Sequence, residues 1–301
     1  MGKWSRRVLG AILCLIGTAT TGLAADKVDQ GTQPAPDRNW QVGFNPSYSS
    51  GNYGTNTTST FLYAPLSIRR LFRDGDVTLV IPFVTATTSG GATLVGGQPT
   101  QTIPDSCFSN SGQGNPENRP ECQGLFTGGS AGGAASQKVT NSGLGDIILR
   151  GRYYFVEEKD YLPLIAMTAR MKIPTADNTR GLGTGAFDHG YGVEMSKRLG
   201  DDWLGFLDGG YNFIGDPDGR NLRNQYWYDV GAGYYITRSI LASVYFEEYR
   251  SLVSSVVNIR DFFFGANYSA SAAWRFNAGV TVGVSSAAPD HVVSLGTSYR
   301  F

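Results

Sequence analysis

Charged side chains recur at alternate positions in a chain whose other alternating positions are apolar. Asp146, Ile148, Arg150, Arg152 and Tyr154 make one such set, and Leu164, Ala166, Thr168, Arg170 and Lys172 make the next. Glu194, Asp208, Asp229, Glu247 and Asp261 occur singly in five successive segments, and Arg69, Arg275 and Arg300 in three more. On a strand, residues two apart share a face. These charges therefore belong to one side of a sheet. If that sheet closes on itself with the charges inside, Arg69, Arg150, Arg152, Arg170, Lys172, Arg275 and Arg300 form a basic arc. Glu194, Asp208, Asp229, Glu247 and Asp261 form an acidic arc facing it. Two such arcs set up a transverse field, which orients dipolar solutes and screens ions by charge. The same residues could instead pair and fill the centre, since small barrels fill with side chains and isolated buried charges are costly. The spacing leaves both readings open.

Other chemistry is sparse. The two histidines both follow an aspartate, in Asp188-His189 and Asp290-His291. A hydrolase built at a barrel rim would use such residues, so a surface lipid hydrolase or protease is the alternative to a channel. His291 falls on the apolar phase, and spacing gives no nucleophile, base and orienter geometry. Asp216-Pro217-Asp218-Gly219 lacks the distal glutamate of a calcium loop and reads as a turn. Gly181, Gly183 and Gly185 are followed by no helical pattern, so a phosphate loop is not expected. No cofactor or metal is expected, and a net charge of zero argues against nucleic acid as a partner.

The elements that carry these residues are short and regular. Forty Gly, sixteen Tyr and sixteen Phe in 301 residues suit many short strands. Trp40, Val42, Phe44, Pro46 and Tyr48 alternate with polar or tiny residues, as do Val293, Leu295, Thr297, Tyr299 and Phe301. Twelve such segments are expected near 39–50, 57–71, 76–87, 143–156, 160–174, 188–199, 202–213, 224–236, 239–250, 258–269, 272–284 and 290–301. Pro82 and Pro163 would then lie inside strands and mark ladder gaps. Connections after even-numbered strands are tight, as at Arg73-Asp74-Gly75 and Glu157-Glu158-Lys159, and those after strands three, five and seven are long. Aromatics at strand ends, Trp40, Trp203, Tyr235 and Tyr299, suit an interfacial girdle.

The first 24 residues read as a secretory signal, with Lys3, Arg6 and Arg7 before the apolar run Val8 to Ile16 and a small-residue end at Gly22-Leu23-Ala24. Residues 25–38 read as a disordered lead. No later segment reaches the roughly 20 apolar residues of a spanning helix. In a membrane the chain must then be a closed barrel, because lipid cannot satisfy free backbone groups. The expectation is an all-β, antiparallel, up-and-down transmembrane barrel of about twelve strands over 39–301, in contact with outer-membrane lipid. Cys107 and Cys122 remain once the signal with Cys14 is gone, an even count in an oxidising compartment, and a disulfide between them is expected. They lie in a long external loop, 88–141, which either folds into the mouth as a constriction or stays outside.

From about residue 140 the chain carries Gly143-Leu144-Gly145-Asp146, Lys172-Ile173-Pro174-Thr175-Ala176-Asp177, Gly181-Leu182-Gly183-Thr184-Gly185, Ser196-Lys197-Arg198-Leu199-Gly200 and Gly210-Tyr211-Asn212-Phe213. In these residues it resembles a family of outer-membrane transporters associated with the meta-pathway of phenol degradation. The family usually has Gly where Ala176 stands. Tyr299-Arg300-Phe301 also resembles the end by which outer-membrane assembly machinery recognises its clients. The resemblance implies integral residence in a Gram-negative outer membrane and passive uptake of small solutes, among them hydrophobic or aromatic compounds. A non-conducting structural barrel is the third reading.

Overall fold

The structure, a computed structural model, describes residues 38–55, 57–89, 91–102, 138–217 and 221–301. The expected signal, nearly all of the lead, and Cys107 and Cys122 lie outside the described residues.

Among the described residues are sixteen strand segments: β1 Trp40–Phe44, β2 Ser47–Gly51, β3 Ser59–Leu71, β4 Gly75–Thr88, β5 Ala92–Val95, β6 Gln98–Gln101, β7 Val139–Leu144, β8 Ile147–Val156, β9 Leu164–Ile173, β10 Asp188–Leu199, β11 Trp203–Phe213, β12 Gln225–Thr237, β13 Ile240–Tyr249, β14 Ile259–Ser269, β15 Trp274–Gly283 and β16 His291–Arg300. β1 and β2 are two halves of one wall strand, and so are β7 and β8. β5 and β6 pair only with each other. Twelve antiparallel wall strands result, each hydrogen-bonded to its sequence neighbours. The first strand closes on the last: Trp40 and Phe301 exchange backbone hydrogen bonds of 3.0 and 2.8 Å, and Gln41 sits opposite Arg300. No helix among the described residues is long and apolar enough to cross a membrane.

Alternation decides what faces where. Leu66, Phe83, Met167, Leu207, Val230, Phe264, Val280 and Leu295 are exposed on the outer surface, as a lipid-facing band requires. Aromatics gather at the tight-turn end, where Trp203 packs on Tyr234 and Trp274 on Tyr299. Tyr234, not Tyr235, takes the outward place. Tyr235 is on the inward phase, packs on an interior cluster and lies under the Arg198 guanidinium.

Boundaries differ from expectation in three places. β9 starts at Leu164, so its connection from β8 runs 157–163 and Pro163 precedes the strand. Lys197 holds that connection by bonds to Glu158 and to the Lys159 carbonyl. β4 runs through Thr88 and β7 begins at Val139, which trims the long connection at both ends. The third difference is the β5–β6 hairpin within that connection, buried throughout. Its two-residue turn, Gly96-Gly97, has φ of +61° and +90°, the positive values that the favoured hairpin turn needs and glycine supplies.

Pro82 does lie inside a wall strand, opposite Pro65 of β3. Beside them the neighbouring strands break, between β1 and β2 at Asn45-Pro46 and between β7 and β8 at Gly145-Asp146. The Gly145 amide still donates to the Pro82 carbonyl at 2.8 Å and the Asn45 amide to Pro65 at 3.4 Å. Two prolines and two strand breaks therefore line up across four adjacent wall strands, because proline offers no donor to the next ladder.

Two interior glycines accommodate rings. A methyl group on Gly231 would collide with Tyr245, and one on Gly279 with Phe263. Replacing either by valine should lower the urea midpoint of refolding into vesicles, by about 1–3 kcal/mol of stability. Gly151→Ala, which meets nothing within 4 Å, should stay near wild type in the same titration.

Candidate lumen and charged cavity

All twelve expected lumen charges lie on the inward phase of their strands. Arg69, Arg152, Lys172, Arg275 and Arg300 are buried, as are Glu194, Asp208, Asp229, Glu247 and Asp261, while Arg150 and Arg170 are half-buried. Register adds order that spacing alone could not give. Glu194 is opposite Asp208, Asp208 opposite Asp229, Asp229 opposite Glu247, and Glu247 opposite Asp261. Five carboxylates on adjacent strands thus follow one hydrogen-bonding line at a spacing of about 4.8 Å per strand. A second line runs Arg300, Gln41, Arg69, Thr78, Arg150 and Arg170.

The carboxylate line lies between two apolar layers. Two residues toward the tight-turn end, Phe206, Tyr245 and Phe263 form a ring-packed row with centroids 5.2 and 6.0 Å apart. Two residues toward the long-loop end stand Trp227, Tyr249 and Ile259, with Trp227 and Tyr249 stacked at 6.3 Å. The geometry follows from period two: moving one side-chain step along each strand replaces a full row at once.

The arcs are not separate everywhere. Asp76 on β4 bonds Arg69 at 2.6 Å and lies 3.6 Å from Arg152, which reaches Glu194 at 2.8 Å. This chain of four links β3, β4, β8 and β10 across the interior. Lys172 is fully buried and bonds Asp188 at 2.7 Å, Thr184 at 2.6 Å and Asp146 at 3.5 Å. It ties the 174–187 connection to the wall. In that connection Asp177 caps a short 3-10 turn, and its bonds from Thr179 hold its carboxylate below the usual range. Arg300 donates to the Arg38 carbonyl at 2.9 Å.

Asp188 and His189 do not form a catalytic pair. Asp188 points inward to Lys172, whereas His189 lies on the outer face, stacked 4.8 Å from Phe213 and edge-on to Tyr191. His291 is likewise on the exposed, outward phase. Adjacent strand residues face opposite sides, so an adjacent Asp and His cannot share a site here.

A narrow cavity, with room for little more than a water molecule, opens between the basic line and the layer above the carboxylates. Arg150, Arg152 and Arg170 line it with Asp76, Glu194 and Trp227. Gly190, Gly192 and Gly210 make room: a methyl on Gly192 or Gly210 would press on the Trp227 ring. The β5–β6 hairpin closes over this region, since a methyl on Gly96 would strike the Arg170 guanidinium and one on Gly97 would crowd the Tyr63 ring. Val95 at its tip meets Leu222 and Leu252 from two other connections. Asp76 and Trp227 were missed as site residues in the sequence, although Asp76 shares the inward phase of Thr78 and Val80. The hairpin too had a signal, a Gly-Gly pair between Val95 and Gln98.

Residues 77–301 match the family model described as "Putative MetA-pathway of phenol degradation". The chain belongs to this family. The match reaches further toward the N-terminus than the motifs from residue 140 onward. Among solved structures, the family member is similar to an outer membrane channel of the COG4313 group from Pseudomonas putida F1. That likeness has 12% identity and a TM-score of 0.62 over 89% of this chain and 97% of that one. The KdgM porin aligns at 9% identity and TM-score 0.49 over 87% and 99%, and the NanC porin at 9% and 0.48 over 86% and 100%. At such identities the first likeness is one of fold. No curated protein sequence matches the chain.

Removing one member of a buried ion pair strands the other. Arg152→Gln should cost about 3–5 kcal/mol, because Glu194 loses its 2.8 Å partner and Asp76 one of two. Arg170→Gln, with no salt-bridge partner among the described residues, should cost far less. Urea refolding midpoints of the two variants compare them directly.

Proposed function

We propose that this barrel is a passive outer-membrane channel for small solutes, hydrophobic and aromatic compounds among them. The observation that carries the reading is a sealed wall, apolar outside, around an interior that holds ordered charges and a narrow polar cavity. A barrel of twelve strands leaves a lumen between the filled eight-stranded barrel and the open porin, so large solutes are excluded. Membership in a family named for phenol degradation supports aromatic cargo. On this reading the apolar band meets acyl chains, the tight turns face the periplasm, and Phe301 serves as the assembly signal.

The basic and acidic lines act as a screen by charge. Arg150 and Arg170 are the pair to neutralise, because they stand directly opposite each other and line the cavity, and because losing Arg152 or Lys172 would strip buried carboxylates of their partner. Purified protein in planar bilayers should give discrete single-channel currents. The double substitution Arg150→Gln and Arg170→Gln should move the reversal potential in a salt gradient toward cation preference. Complete absence of current in many insertions would instead favour a plugged, structural barrel.

A further inference from the structure

A channel needs a path, and the cavity lined by Arg150, Arg152 and Arg170 has room for little more than a water molecule. The wall cannot widen it. Every wall strand is laddered to its neighbours right round the ring, and opening the ring would break backbone bonds that lipid cannot replace. The β5–β6 hairpin is held differently. It is buried over its full length, yet its two strands pair only with each other. Among the described residues no backbone hydrogen bond ties those strands to the wall.

Side-chain contacts hold it instead. Val95 seats on Leu222 and Leu252, Leu94 packs with Phe61 and Leu182, and Thr93 donates to the Gly181 carbonyl at 2.8 Å. The seat is itself braced. Arg223 donates through its guanidinium to the Ser251 and Val253 carbonyls at 2.8 and 2.9 Å, and through its amide to the Leu252 carbonyl at 2.9 Å. The closed position also carries costs. The Tyr63 hydroxyl and the Gln98 amide nitrogen are buried with no hydrogen-bond partner among the described residues, and Gly96 lies against the Arg170 guanidinium. Buried polar groups left unpaired favour any state that returns them to water. An element held by side-chain contacts and carrying such costs belongs to the low-stability end of a structure, from which moving parts are drawn.

Resting on the channel reading, we propose that the β5–β6 hairpin is a gate. Latched on Leu222, Leu252 and the Gly181 carbonyl, it closes the mouth. Released, it moves as one paired unit, returns Tyr63 and Arg170 to water and clears the lumen, while the wall ladder stays intact.

The test records planar-bilayer currents from the full mature chain. Val95→Cys with Leu252→Cys supplies a lock, in a background where Cys107→Ser and Cys122→Ser remove the other cysteines of the mature chain. The lock is closed by an oxidant, or by a short bis-maleimide where thiol titration finds the pair still free. Closing it should cut the mean current at least tenfold, and a reductant should restore the oxidised form. Leu252→Ser weakens the latch and lies outside the wall strands, so it should raise the fraction of time spent open. Heat-modifiable migration first confirms that each variant is folded. Unchanged current after locking, or Leu252→Ser gating like the wild type, would overturn the gate and leave an ungated channel. No current from any form, unlocked or unlatched, would sink the channel reading and the gate with it.

Discussion

The structure depends on one constraint: in a hydrocarbon slab every wall amide and carbonyl needs a protein partner. Pairing of β1 and β2 with β16 meets it by removing the edge, and the two bonds between Trp40 and Phe301 finish the seam. The constraint also explains how the wall tolerates its prolines. Pro65 and Pro82 cannot donate, yet their carbonyls accept from Asn45 and Gly145 at strand breaks that lie beside them. Once the wall is closed, alternation has no freedom left. Each residue that faces outward forces its neighbours inward.

That forced inward phase turns a pattern along the chain into rows around a ring. The carboxylates of β10 to β14 are far apart in sequence and adjacent in register. The aromatic rows on either side arise from the same step of two residues. A polar row between apolar rows concentrates the field in a thin layer, because the low-dielectric neighbours screen it little. On the basic side the arrangement differs. Asp76 and Glu194 lock Arg152, and Lys172 is held by Asp146 and Asp188, while the opposed Arg150 and Arg170 line the cavity. Part of each charged arc is therefore cross-bracing, and part lines open space.

The β5–β6 hairpin adds what a bare cylinder lacks. It fills the mouth with its own side chains, packs Leu94 with Phe61 and Leu182, and brings two glycines onto Arg170 and Tyr63. Thr93 fastens it to the Gly181 carbonyl at 2.8 Å. The Lys172 cluster fixes the connection that receives it. The cavity is thus bounded by wall on its sides and by a connection above, so its shape is set by segments distant in sequence.

Much of the wall was legible in the sequence, because a period of two is local and lipid makes it obligatory. The strand count, the inward charges and the short and long ends all follow from neighbours along the chain. The start of β9 escaped that logic, because a proline at 163 interrupts the period, whereas Tyr235 obeys it: it shares the inward phase of Asp229, and the register shift lies beyond it. What only the tertiary structure decided is which charges meet. Whether Arg152 finds Glu194, whether Arg150 stands opposite Arg170, and whether a hairpin enters the mouth depend on register, strand tilt and loop packing. Those are set by the closed ring as a whole, and no stretch of sequence contains them alone.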